Sequence, residues 1–174
     1  DTIEHSFTGC KNLRQFSYYR WNGYISDCYL ACKNWLVAFA PNSGETTFTI
    51  PSDIQVISNQ AFKGCTNLES VMIHGDLFSI GSNAFYGCSN LSAIHINAIN
   101  PPSLESNSFS NCNSNLKIYV PLASLSAYKS ADGWREYADK IFYELRDNKV
   151  ADIYILDVFM PGIDGFELAD EIRK

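Results

Sequence analysis

The sequence has no long apolar run. No stretch of the 174 residues reaches the ~18 that a membrane-crossing helix needs, so no such span is expected. Positive charge is scarce: 13 Lys and Arg stand against 19 Asp and Glu, a net charge of −6. That balance lacks the basic footprint of a nucleic-acid binder. Catalytic phrases are missing as well. There is no G-x-S-x-G, no H-E-x-x-H and no glycine-rich phosphate loop, so no enzyme is expected. The opening Asp1-Thr2-Ile3-Glu4-His5 has neither a basic start nor an apolar leader. It begins inside a repeat, which leads us to expect a mature form or a piece of a longer protein.

The cysteines, though six in number, do not read as a disulfide framework. Cys10, Cys65, Cys88 and Cys112 each follow a Phe by three residues, so they belong to a repeat and should stack as small buried groups. Cys28 and Cys32 remain as C-x3-C. A zinc site takes about four N or S ligands, and no second pair accompanies them. Unpaired thiols are the favoured reading, a local disulfide the alternative; no metal and no cofactor are expected.

What the sequence does have is a period. In "IQVISNQAFKGCTNLESVMI" (54–73) and "LFSIGSNAFYGCSNLSAIHI" (77–96), the pairs Ile57/Ile80, Phe62/Phe85, Cys65/Cys88, Leu68/Leu91, Val71/Ile94 and Ile73/Ile96 are all 23 residues apart. "HSFTGCKNLRQF" (5–16) is an earlier copy and "NSFSNCNSNLKIYV" (107–120) a later one with a longer turn. A fixed period in this range, with apolar residues at L-x-x-V-x-I spacing, is the mark of a leucine-rich repeat. Each unit cannot bury its core alone, and stacking completes it. Phe62, Phe85 and Phe109 should therefore form one internal column. Alternation along the strands turns Met72, His95, Tyr119 and Ser17 outward as a row.

Between Phe16 and Ile54 the period breaks. Asn22-Gly23 is a hairpin signal, and a second reversal at Ala31-Cys32-Lys33-Asn34 leads into a strand Trp35–Phe39. An inserted β-hairpin over about 17–50 is expected, rich in Tyr18, Tyr19, Trp21, Tyr24, Tyr29 and Trp35. Those aromatics suit either a sugar- or peptide-binding platform or packing of the hairpin on the repeats, and packing is favoured. His74 and His95 lack a local carboxylate and read as solvated strand residues rather than metal ligands.

The phrase Ile-x-x-x-Ala-Phe-x-x-Cys-x-x-Leu-x-x-Val-x-Ile, with the closing "NPPSL…LKIYVPLASLSAYKSADGWREYADKI" (100–141), resembles the BspA-like leucine-rich repeat family of bacterial surface proteins. The resemblance covers about residues 1–141. It implies a β-rich leucine-rich-repeat solenoid, a right-handed α/β-type superhelix, in a non-enzymatic extracellular or cell-surface binding or adhesion module. In the closing element Pro121 fits the end of an edge strand. Leu125, Tyr128, Trp134, Tyr137 and Ile141 suit short amphipathic helices that cap the open end.

The last residues change style. "ELRDNKVADIYILDVFMPGIDGFELADEIRK" (144–174) resembles the centre of a response-regulator receiver domain, with Asp157 at the phosphoacceptor position and Met160, Pro161, Asp164 and Gly165 in the loop and helix start behind it. A helix–strand–helix appendix over 142–174 is expected, its apolar strand Ile153–Leu156 suiting burial on both faces. The acidic pair, hydroxyl residue and lysine that the family uses around its aspartate are not supplied, so no competent phosphotransfer is expected. The resulting expectation is docking of a host or bacterial surface protein or glycan, with Tyr19, Trp21, Met72, His95 and Tyr119 as candidate contacts. The alternative is a cytoplasmic hybrid signalling protein phosphorylated at Asp157.

Overall fold

A computed structural model of the chain describes residues 23–25, 29–32, 34–41 and 43–144. Strands dominate. They are β1 (Gly23–Ile25), β2 (Tyr29–Cys32), β3 (Trp35–Phe39), β4 (Thr47–Ile50), β5 (Val56–Ile57), β6 (Ser70–Ile73), β7 (Ser79–Ile80), β8 (Ala93–Ile96), β9 (Ser103–Leu104), β10 (Lys117–Val120) and β11 (Ile141–Tyr143). A 3-10 turn at Leu122–Ser124, the helix α1 (Leu125–Ser130) and a 3-10 segment Trp134–Lys140 lie between β10 and β11.

The period becomes geometry directly. Each repeat contributes a two-residue strand, a turn-rich segment around its Phe, and a four-residue strand. The short strands join in the order β1-β2-β3-β5-β7-β9 and the longer ones in the order β11-β10-β8-β6-β4. Pairing is parallel throughout the five-stranded sheet. In the other sheet β3, β5, β7 and β9 run parallel, while β1–β2 and β2–β3 are antiparallel. Between the sheets, turn backbones bond from repeat to repeat: Phe39 N–H to Ala61 O at 2.7 Å, Phe62 N–H to Ala84 O at 2.7 Å and Phe85 N–H to Ser108 O at 2.8 Å. Backbone groups that a lone repeat would leave unmet are thus paired by its neighbours.

The interior is a set of columns. Phe62 and Phe85 stack with centroids 4.7 Å apart and planes 9° apart, and Phe85 and Phe109 follow at 5.6 Å and 21°. Phe39 extends the column below at 5.2 Å from Phe62, although it comes from β3 rather than from a recognisable copy. Beside it Cys65 and Cys88 are buried and Cys112 is half-buried, all three as free thiols. Cys10 and Cys28 lie outside the described residues. The Cys88 and Cys112 thiols donate to Phe62 O and Phe85 O of the preceding repeat at 3.0 and 3.1 Å. Contacts with neighbouring thiols and burial push both thiols up from the ordinary range, although Cys88's contact with Cys112 pulls it the other way.

Tight turns recur in register. Gln60, Asn83 and Asn107 hold φ of 60°, 54° and 57°, and Gly64, Gly87 and Asn111 hold 73°, 74° and 57°. Asn and Gly tolerate this left-handed region, and Gln60 is the exception that the stacked turns over-determine.

The cap differs from expectation in one respect. Tyr128 and Trp134 are fully buried; Tyr128 Oη donates to Ala98 O at 3.0 Å and Trp134 Nε1 to Pro102 O at 2.7 Å. Both rings carry apolar bulk into the end of the core and spend their polar tips on backbone carbonyls. Ile141, expected at the end of a helix, instead opens β11 and pairs with Ile118. The chain divides into two compact units, Asp1–Tyr143 and Glu144–Lys174. β1 and β2 pair antiparallel, with Gly23 opposite Cys32 and Ile25 opposite Leu30, and β2 pairs antiparallel with β3, whose Leu36 to Phe39 are buried. Asn22, of the expected Asn22-Gly23 turn, lies outside the described residues.

Candidate binding surface

Residues Ile50, Ile73, Ile96, Val120 and Val71, Ile94, Ile118, Ile141 face the core, buried on the strands of the five-stranded sheet. The period-2 alternation of a strand therefore turns Thr49, Met72, His95, Tyr119 and Phe142 to the other side. Register aligns them: Thr49 faces Met72, Met72 faces His95, His95 faces Tyr119, and Tyr119 faces Phe142. A second outward row runs Thr47, Ser70, Ala93, Lys117.

This row is not chemically uniform. On the β4 and β6 side it is small and polar apart from Met72. On the β8, β10 and β11 side it is aromatic. The His95 and Tyr119 rings stack with centroids 4.8 Å apart and planes 15° apart, and Tyr119 and Phe142 lie 6.4 Å apart. Lys117 Nζ stands 5.7 Å from the Phe142 ring centre, within reach of a cation–π attraction. Phe142 keeps 42% of its surface exposed. His74, just past β6, is exposed, and Asn97 Nδ2 lies 3.0 Å from its Nδ1.

Three of the five candidates from sequence, Met72, His95 and Tyr119, thus come together in one row. Tyr19 and Trp21 lie outside the described residues, as do Ser17 and Asp157. Of the remaining hairpin aromatics, Tyr29 packs on Phe48 with centroids 5.3 Å apart, which is the packing role, while Trp35 is exposed on the other sheet. Phe142 and Lys117 were missed. A signal for Phe142 exists: Ile118/Ile141, Tyr119/Phe142 and Val120/Tyr143 are again 23 residues apart, but the intervening cap residues hide the continuation. Among the described residues no group of three or more His, Cys, Asp or Glu is arranged to hold a metal ion, and no helix is long and apolar enough to cross a membrane.

A family model described as a BspA type leucine rich repeat region, of six copies, matches residues 36–131. The chain belongs to the BspA-type leucine-rich repeat family. No curated protein sequence matches it. The match starts at Leu36, inside β3, and ends at Ala131, just after α1. It therefore takes in β4 to β10 and their turns. The receiver-like stretch around Asp157 falls outside it, and no comparison supports that resemblance. Members of the repeat family are generally non-enzymatic surface or secreted binding modules.

Proposed function

We propose that this chain is a binding module of a secreted or surface-displayed protein, its stacked repeats forming a solenoid whose partner docks on the outer face of the five-stranded sheet. The observation that carries this reading is the register-locked row Met72, His95, Tyr119, Phe142. Residues of alternating direction bury a continuous core on one side, so the row is held in a fixed array by the same packing that holds the fold. Such an array binds without ordering mobile side chains, which lowers the cost of association. Interface centres favour Tyr, Phe and Met and disfavour acids, and the row matches that composition.

Size sets the expected strength. Four strand spacings of ~4.8 Å and four residues of ~3.3 Å give a face of about 19 by 13 Å. That is well below the ~800 Å² each partner contributes to a standard interface. Affinity must then concentrate in a few anchors, Tyr119 and Phe142 first. Adhesion to a host or bacterial surface protein is the setting that fits best, with a glycan as the competing ligand.

Binding to arrays of extracellular-matrix proteins and glycans tests this reading. A genuine ligand should lose about 30-fold in affinity to Tyr119→Ala, the equivalent of an anchor worth ~2 kcal/mol. Phe78→Ser, at a 64%-exposed position away from this sheet, should leave binding intact. Ligands that bind the Tyr119→Ala protein as well as the parent place the site elsewhere.

A further inference from the structure

Two features of the outer face of the five-stranded sheet select among ligands. The face is small, about 19 by 13 Å, under a third of the ~800 Å² that each partner gives to a standard interface. A single segment of a partner fits it, not a domain surface. The face also offers no backbone. β6, β8 and β10 each have a strand on both sides, so their N–H and C=O groups are taken up in the ladders. A β-strand laid across this face would turn N–H groups toward it and find no backbone acceptor, at a cost for each. A segment of prolines has no N–H groups to leave unmet.

Spacing points the same way. The row from Thr49 through Met72, His95 and Tyr119 to Phe142 crosses the strands in register. Its members follow at ~4.8 Å, so alternate ones lie about 9.6 Å apart. A polyproline II helix turns once in three residues of ~3.1 Å, about 9.3 Å. Over the four spacings of the row, two such turns fall only ~0.6 Å short. An extended β-segment repeats its same-side residues every ~6.6–6.8 Å and misses the row at its first step.

The side chains match as well. Proline-rich segments pack their rings on aromatic surface. His95 and Tyr119 are nearly closed on each other at 4.8 Å and 15°, but Tyr119 and Phe142 lie 6.4 Å and 45° apart, and Phe142 is among the exposed large apolar residues. The wedge between those two rings is the place for a prolyl ring. Such a segment presents carbonyl acceptors alone. The Tyr119 hydroxyl is a donor beside the wedge, and the Lys117 ammonium, 5.7 Å from the Phe142 ring centre, is another. Strands β4, β6, β8, β10 and β11 contain no Asp or Glu; Glu69 and Glu144 stand just outside β6 and β11.

We propose that this face takes a proline-rich segment of a partner protein in the polyproline II conformation, laid along the row with a prolyl ring between Tyr119 and Phe142. The inference rests on the outer face being the binding face and adds the partner's chemistry. Such a segment is preformed, so docking orders little of it, which is how a face this small holds a ligand.

The test uses the full chain and fluorescent nonaproline, read by anisotropy. Controls are nonapeptides of alternating Gly and Ser and of alternating Thr and Gln, and the competitors are chitohexaose and a sulfated dextran. Nonaproline should bind about tenfold or more tighter than either control peptide, and neither sugar should displace it. Tyr119→Ala and Phe142→Ala should each lower its affinity about tenfold or more. Tyr119→Phe, which keeps the ring and drops the donor, should cost only about threefold. Nonaproline bound no tighter than the controls, displacement by either sugar, or parent-like binding by both alanine variants would each overturn the proposal. So would a Tyr119→Phe protein as weak as Tyr119→Ala, since the ring would then not be the anchor. If ligands from the matrix arrays are lost with Tyr119→Ala while nonaproline is ignored, the proline chemistry fails and the face stands. If those ligands are also indifferent to Tyr119→Ala, the face fails too.

Discussion

Replacing Phe85 by Ala removes the central ring of the aromatic column. The ring is fully buried, with Phe62 stacked on one side at 4.7 Å and Phe109 on the other at 5.6 Å. Phe→Ala in a core costs about 3–5 kcal/mol, and the value depends on how far the site collapses. Here collapse is hindered. The rings above and below belong to repeats whose spacing is set by backbone bonds, including Phe62 N–H to Ala84 O at 2.7 Å and Phe85 N–H to Ser108 O at 2.8 Å. The upper part of the range, about 4–5 kcal/mol, is therefore expected, against a total of about 5–15 kcal/mol for an ordinary domain. With a urea slope of about 2 kcal/mol/M the unfolding midpoint should fall by about 2 M. Far-UV circular dichroism through a urea titration measures it, with Phe78→Ser as the exposed control, expected within about 0.5 kcal/mol of the parent. A Phe85→Ala midpoint within 0.5 M of the control, roughly 1 kcal/mol by the same slope, would refute the claim that repeat spacing keeps the column from closing.

Three further outcomes are expected. Gly81→Ala should destabilise by about 1–3 kcal/mol, because its new Cβ would sit 2.6 Å from Asn59 N and 2.8 Å from Ser58 C. Gly64→Ala meets open space but a φ of 73°, so about 1–2 kcal/mol from backbone strain alone is expected; thermal unfolding of both variants separates clash from strain. Cys88 and Cys112 have raised pKa values in the folded chain. Their unfolded counterparts ionise above about 9, so stability should fall as pH rises beyond that point, and thiol reagents at pH 8 should label these two only after urea is added. Incubation with a small phosphodonor and magnesium should leave Asp157 unmodified by mass spectrometry; an acyl-phosphate there would revive the signalling alternative.

Much of this organisation was visible in the chain itself, because a repeat writes its packing into spacing. Near-equal offsets at Phe62, Phe85 and Phe109, 23 and then 24 residues, call for equivalent environments, and those environments can be equivalent only if the units stack. The outward direction of Met72, His95 and Tyr119 followed from their neighbours Val71, Ile73, Ile94, Ile96 and Ile118, Val120, since a strand that buries one set must expose the other. Other features depended on residues far apart in sequence. β1 and β2 pair antiparallel and so bring Gly23 opposite Cys32, while β3 carries the buried Leu36 to Phe39. Phe39 enters the aromatic column from outside any visible copy. β11 joins the sheet only after the cap has brought Ile141 beside Ile118, which adds Phe142 to the row. The sequence alone determined the period, the core positions and the alternation, because these depend on composition and offset along one chain. Only the tertiary structure decided which strand neighbours which and at what register. Those choices depend on competing long-range burials, and they set Tyr119 and Phe142 side by side on the outer face.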